Sequence, residues 1–167
     1  MIPSPTEATP AAPSAGASAA PTSAAPTKAA PNPVGTSDAL ANPGFESGTV
    51  SPWNCAGNPG SIVASPVHAG AKALQGKVSS SDTAQCDQTV EVEPNTTYSL
   101  SGWVRGSYVY LGVSGSTSTW ATSPTHYSPL TVSFTTGNSQ TSATIYVHGW
   151  YAQGTYYADD LALKQTG

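Results

Sequence analysis

Beyond position 37 the chain carries eight carboxylates: Asp38, Glu46, Asp82, Asp87, Glu91, Glu93, Asp159 and Asp160. Cleaving a glycosidic bond takes two such groups about 5 to 10 Å apart across the substrate, and none of the eight lies on the strands that bear the large aromatic rings. Glu91 and Glu93 alternate with Val90 and Val92 and read as solvated positions of one strand. The histidines offer no more. His68 and His126 have no partner at metal-ligand spacing and read as loop residues, His148 stands alone on a strand, and no serine sits in a nucleophile elbow with a base in recognisable order. Catalysis is therefore not expected. Cys55 and Cys86 belong to no CxxC or Cys/His cluster, so a disulfide is their expected use. It would close a loop of about 30 residues, a constraint of roughly 3 to 4 kcal/mol on chain-entropy grounds, and it implies an oxidising compartment.

What the side chains do offer is ring surface. In a strand, alternate residues face opposite sides. From Tyr98 to Arg105, residues Tyr98, Leu100, Gly102 and Val104 take the core side, which turns Trp103 and Arg105 outward. Val109, Leu111 and Val113 place Tyr108 and Tyr110 outward, and Ile145 and Val147 do the same for Tyr146, His148 and Trp150. Trp53, Trp120 and Tyr127 fall in expected loops that could rim the same surface. A soluble domain seldom exposes so much aromatic area without a use. The C–H faces of a pyranose lie well on the negative face of an indole or phenol, and Arg105, His148 and nearby hydroxyls could bond its OH groups. The expected ligand is a neutral glycan.

The acids near the two ends suggest a cation. Asp159 shares the parity of Leu161 and Leu163, so its carboxylate is expected to point inward and to need a partner. With few lysines or arginines at hand, calcium held by Glu46, Asp159 and backbone carbonyls would supply one.

The elements that position these residues are all β. After Asp38 the chain runs in short alternating segments divided by Gly, Pro, Asn and Ser. Strands are expected near Leu40–Phe45, Ser61–Ser65, Ala71–Gln75, Gln85–Val92, Thr97–Arg105, Tyr108–Ser114, Leu130–Thr136, Ser142–Trp150 and Thr155–Lys164. That number of strands in residues 38–167 predicts one antiparallel β-sandwich or jelly roll. Residues 1–37 are Pro, Ala, Ser and Thr almost throughout, and their recurring prolines stop any helix, so an extended, disordered linker to another domain is expected. Met1-Ile2-Pro3-Ser4-Pro5 lacks the basic start and apolar run of a secretory leader. Only 8% of residues are charged and Lys and Arg total 5 against a net charge of −4. That leaves no basic patch for nucleic acid or an anionic membrane, and no apolar run long enough to span a bilayer.

Several segments in order, Asn42-Pro43-Gly44-Phe45-Glu46, Trp53, His68-Ala69-Gly70-Ala71-Lys72-Ala73-Leu74, Gln88-Thr89-Val90, Pro94-Asn95-Thr96-Thr97-Tyr98 and Tyr157-Ala158-Asp159-Asp160-Leu161, resemble the carbohydrate-binding modules of the family 4/9/16/22 type. The likeness covers about residues 38 to 165. The variant with Trp103, Tyr108-Val109-Tyr110-Leu111-Gly112 and His148-Gly149-Trp150-Tyr151 is similar to modules found beside family 18 chitinase domains in actinobacteria. The resemblance implies a jelly roll of galactose-binding-like topology with a structural calcium near the joined termini. Its ligands would be Glu46, Asp159 and the carbonyl of Lys72, with Asp160 as a further acidic candidate. It also implies binding to cellulose, xylan, β-1,3-glucan, mannan or chitin, with chitin favoured, and together with the disulfide and the linker the expectation is a monomeric, secreted module tethered to a catalytic domain. The competing expectation is a structural or adhesive sandwich whose rings pack against a neighbouring domain.

Overall fold

Alternation of apolar and polar residues, cut by turn formers, produces eight strands and no helix among the residues that the computed structural model describes, 38–57 and 60–167. The expected linker, residues 1–37, lies outside the described residues. The strands are β1 (Asn54–Cys55), β2 (Ser61–Val63), β3 (Ala73–Lys77), β4 (Cys86–Glu91), β5 (Thr97–Val113), β6 (Ser118–Thr135), β7 (Ser142–Gly149) and β8 (Thr155–Gln165). All pairings are antiparallel, in the order β1-β4-β7-β5-β8-β3-β2, with β6 on the remaining side of β5.

The two strands expected at Thr97–Arg105 and Tyr108–Ser114 are one. β5 pairs with β8 through Tyr98–Arg105 and with β7 through Val109–Val113, while β6 follows it along both halves. The irregular step between Val104 and Val109, around Gly106 at φ 155°, carries the strand from one layer of the sandwich to the other. It also changes the parity. Leu100 and Val104 face the core before it, and Val109, Leu111 and Val113 after it. One layer is thus β2-β3-β8-β5-β6 and the other β1-β4-β7-β5-β6. Between them lie Leu74, Val90, Phe134, Ile145, Val147, Leu161 and Leu163, each buried side chain of this size contributing roughly 1.5 to 3 kcal/mol. Tyr156 is the largest of the fully buried residues, and its hydroxyl donates to the Ala84 carbonyl at 2.6 Å. Burial pushes that phenol well above its ordinary pKa, so it remains a neutral donor.

Leu40–Phe45 forms turns instead of the expected strand. Asn42 and Phe45 take positive φ, and the Asn42 amide donates to the carbonyls of Thr49 and Ser51 at 2.8 and 3.1 Å. Buried Gln88 grips this turn through both polar atoms of Ala41. The result tucks Phe45 into the core against Trp53. Cys55 and Cys86 are directly opposed across β1 and β4 and form a disulfide. β6 has β5 as its one partner among the described strands, and Pro124 and Pro129 interrupt its free edge.

Candidate functional site

The outer face of the β4-β7-β5-β6 layer gathers the rings. Registry sets Trp120 of β6 opposite Tyr110 of β5, and Tyr110 opposite His148 of β7. Tyr146 lies one outward step along β7 from His148. The His148 ring is stacked between Tyr110 at 4.9 Å and Tyr146 at 5.4 Å, both nearly parallel to it. Around this stack, Trp120 lies 5.6 Å from Tyr108 and 6.1 Å from Tyr110, Trp150 lies 5.5 Å from Tyr110, and Tyr151 packs edge-on against Trp150. Trp120 is 53% exposed and Trp150 44%, with Tyr108 and Tyr151 also open to solvent.

Gly112 shapes the floor. A Cβ there would meet the Tyr146 hydroxyl at 2.7 Å and the Thr117 carbonyl at 2.7 Å, so only a residue without a side chain lets Tyr146 lie across β5. His148 Nδ1 donates to its neighbour's carbonyl, Gly149 O. Burial lowers its pKa, an effect that the Gly149 bond partly opposes, so the imidazole is held neutral between its two phenols. The rings themselves form an uncharged, preorganised aromatic floor. It can stack against apolar sugar faces, and it holds no acid–base pair on the rings.

Five of the expected ring-face residues stand elsewhere or arrive differently. Trp53 is 4% exposed and belongs to the core, its indole N–H donating to the Ala41 carbonyl at 3.2 Å, because the 40–45 segment folds over it. Trp103 and Arg105 do face outward, but on the other layer, since β5 changes layers at Gly106. Trp103 is covered there by His68, stacked at 3.9 Å, and Arg105 donates to the Pro124 carbonyl. Trp120, expected in a loop, is on β6 and joins the ring face. Tyr127 is also on β6, where it donates to the Pro66 carbonyl at 2.9 Å. Tyr151 was missed; its signal is its position directly after Trp150.

The acids gather at the Trp103 side. An extra residue in β8 between Asp159 and Ala162 flips the alternation, with Asp160 at φ 46°. Asp159 is therefore opposite Trp103 on the outer face, not alongside Leu161 and Leu163, and it is buried by the loop that follows Pro66. Its Oδ2 accepts the amides of His68 at 2.8 Å and Ala69 at 3.3 Å. Burial raises its pKa, the amides counter this, and Asp160 adds to it. Asp160 pairs with His68 Nδ1 at 2.6 Å. Glu46 Oε1 accepts the amides of Ala71 and Lys72 at 2.9 and 3.0 Å. A Cβ at Gly44 would lie 3.5 Å from Asp160 Oδ1 and 3.9 Å from Asp159 Oδ1. These are hard oxygen donors of the kind calcium takes, and Asp159 is a buried carboxylate held by N–H dipoles. Among the described residues, however, no three acidic, histidine or cysteine side chains converge as a metal cage. The donor chemistry fits, and a closed site would need backbone carbonyls as well.

Residues 37–155 match the family described as carbohydrate binding domain, of the 4/9 type. The chain belongs to this family. Members of it are non-catalytic, so this carbohydrate-binding domain is not an enzyme. Exochitinase 1 of Streptomyces olivaceoviridis is 47% identical over 135 residues, 78% of this chain and 22% of that protein. A keratan-sulfate endo-1,4-beta-galactosidase of Sphingobacterium multivorum is 34% identical over 133 residues, 75% of this chain and 31% of that protein. The domain thus spans less than a third of either relative. Among solved structures, a family 61 module in complex with beta-1,4-galactotriose superposes with TM-score 0.60 at 24% identity over 78% of this chain and 100% of its own. A family 16 carbohydrate binding module does so with TM-score 0.59 at 23% identity, over 75% and 99%. At that identity the likeness speaks to the fold. No helix among the described residues is long and apolar enough to cross a membrane.

Proposed function

We propose that the face carrying Trp120, Tyr110, His148, Trp150 and Tyr108 is the sugar-binding surface. On this reading the domain targets a secreted polysaccharide-degrading enzyme to its insoluble substrate, with chitin the favoured polymer and β-glucan or xylan next. The carrying observation is the unbroken run of rings from Trp120 through Tyr110 to Trp150, half-exposed at both ends on one layer. Family membership supports a carbohydrate ligand, and the exochitinase relative supports chitin. The disulfide accords with an extracellular setting. Tethering a catalytic domain to a weakly bound module raises local enzyme concentration without new chemistry. We include a structural calcium held at Glu46, Asp159 and Asp160 with the Lys72 carbonyl, which would neutralise the buried carboxylate and fasten the 68–72 loop to β8.

A pull-down on insoluble chitin, cellulose, xylan and β-glucan tests this reading. Chitin should retain the domain best and Trp120→Ala with Trp150→Ala should release it. If no polymer retains the wild type, the rings serve packing against a neighbour and the sugar reading fails.

A further inference from the structure

The ring-bearing layer has a second, polar half. On β4, Cys86, Gln88 and Val90 face the core, which turns Asp87, Thr89 and Glu91 to the ring side. Asp87 is opposite Tyr146 of β7 on one flank and Asn54 of β1 on the other. Tyr146 leans away from it, over Gly112 and against His148. This leaves the strip above Asp87 bounded by a phenol on one side and an amide on the other, directly beside the ring run.

Two features separate Asp87 from an ordinary solvated charge. It lies on an inner strand of the layer, half-buried, whereas Glu91 further along the same face is exposed. Its side chain also has no hydrogen-bond or ion-pair partner among the described residues. A carboxylate accepts only, offers about four lone-pair sites, and forms stronger hydrogen bonds than a neutral acceptor. A partly desolvated one without donors is incomplete. Resting on the sugar-binding reading, we infer that Asp87 is a specificity-determining residue of this surface. Its oxygens take O–H or N–H donors from a sugar stacked on the adjacent rings, fixing the ring's orientation. Its charge turns away glycans bearing carboxylate or sulfate groups, so the ligand class is neutral or amino-sugar polymers.

Calorimetric titration of wild type, Asp87→Ala and Asp87→Asn tests this. The probes are chitohexaose, cellohexaose and xylohexaose, together with an anionic hyaluronan hexasaccharide and a partly N-deacetylated, cationic chitohexaose. Losing a charged acceptor should weaken Asp87→Ala about tenfold or more on the best neutral probe, with Asp87→Asn closer to wild type. In wild type the cationic probe should bind at least as well as its neutral parent and the anionic one worst, and Asp87→Asn should narrow that ranking. Equal affinity of Asp87→Ala and wild type, or an unchanged charge ranking in Asp87→Asn, overturns the assignment while leaving the sugar surface intact. A wild type that binds none of the probes defeats both.

Discussion

Replacing Trp120 with alanine removes a ring that is 53% exposed on the outer face of β6, opposite Tyr110. A tryptophan presents up to about 250 Å², so roughly 130 Å² of this one meets solvent, and a pyranose lying on one face would cover about half of that. At about 25 cal/mol per Å², those ~65 Å² correspond to ~1.6 kcal/mol, or roughly fifteenfold in Kd. Because Trp120 leans on Tyr108 and Tyr110 at its edge and fills no core space, melting should move little. The informative comparison is Trp103→Ala. That indole is stacked under His68 on the other layer, so its loss should lower Tm and leave Kd unchanged. Titrating both variants with the oligosaccharide that wild type binds most tightly checks the reasoning. If Trp103→Ala loses affinity while Trp120→Ala keeps it, the sugar lies on the opposite face and the ring run has been assigned the wrong role.

Three further outcomes are expected. The Cys55→Ala, Cys86→Ala double variant should lose roughly 3 to 4 kcal/mol in urea unfolding, from a loop of sequence separation 31; an unchanged midpoint would place the constraint elsewhere. Burial depresses the pKa of His148 below 6.5, so the unfolded chain binds that proton more readily. The stability His148 contributes is present above pH 6.5 and is lost as pH falls through its folded value. Tm should therefore decline on acidification, and less in His148→Gln, whereas parallel profiles would refute the link. Calcium at about a hundred times its Kd should add ~2.7 kcal/mol, read as a higher Tm than in chelator; identical melting in both removes the cation from the account.

Alternation alone identified the outward residues of β5 and β7, because Val109, Leu111, Ile145 and Val147 mark the core side without ambiguity. It could not say which layer an outward residue joins. Trp103 and Tyr110 obey the same rule on the same strand, yet the step at Gly106 sends them to opposite faces. Nor is a bulge visible as a pattern. One inserted residue in β8 moved Asp159 from the expected inward side to the Trp103 side, and nothing in Tyr157-Ala158-Asp159-Asp160-Leu161 announces it. Trp53 was misplaced for a third reason. Turn segments have no period, so the folding of residues 40–45 over that indole depends on long-range bonds such as those of Gln88 to Ala41.

The free side of β6 bears on how many copies a surface can hold. A domain that collects on a polymer meets its own kind at high density, and a long unpaired strand with open N–H and C=O groups is a template for lateral zipping. Pro124 and Pro129 have no N–H to offer, and the irregular stretch between Ser123 and Ser128, where β6 meets Gly106 and Val104 of β5, breaks the line further. What stays open for a second copy to extend is two short stretches, Ser118–Ser123 and Leu130–Thr135, one on either side of the prolines.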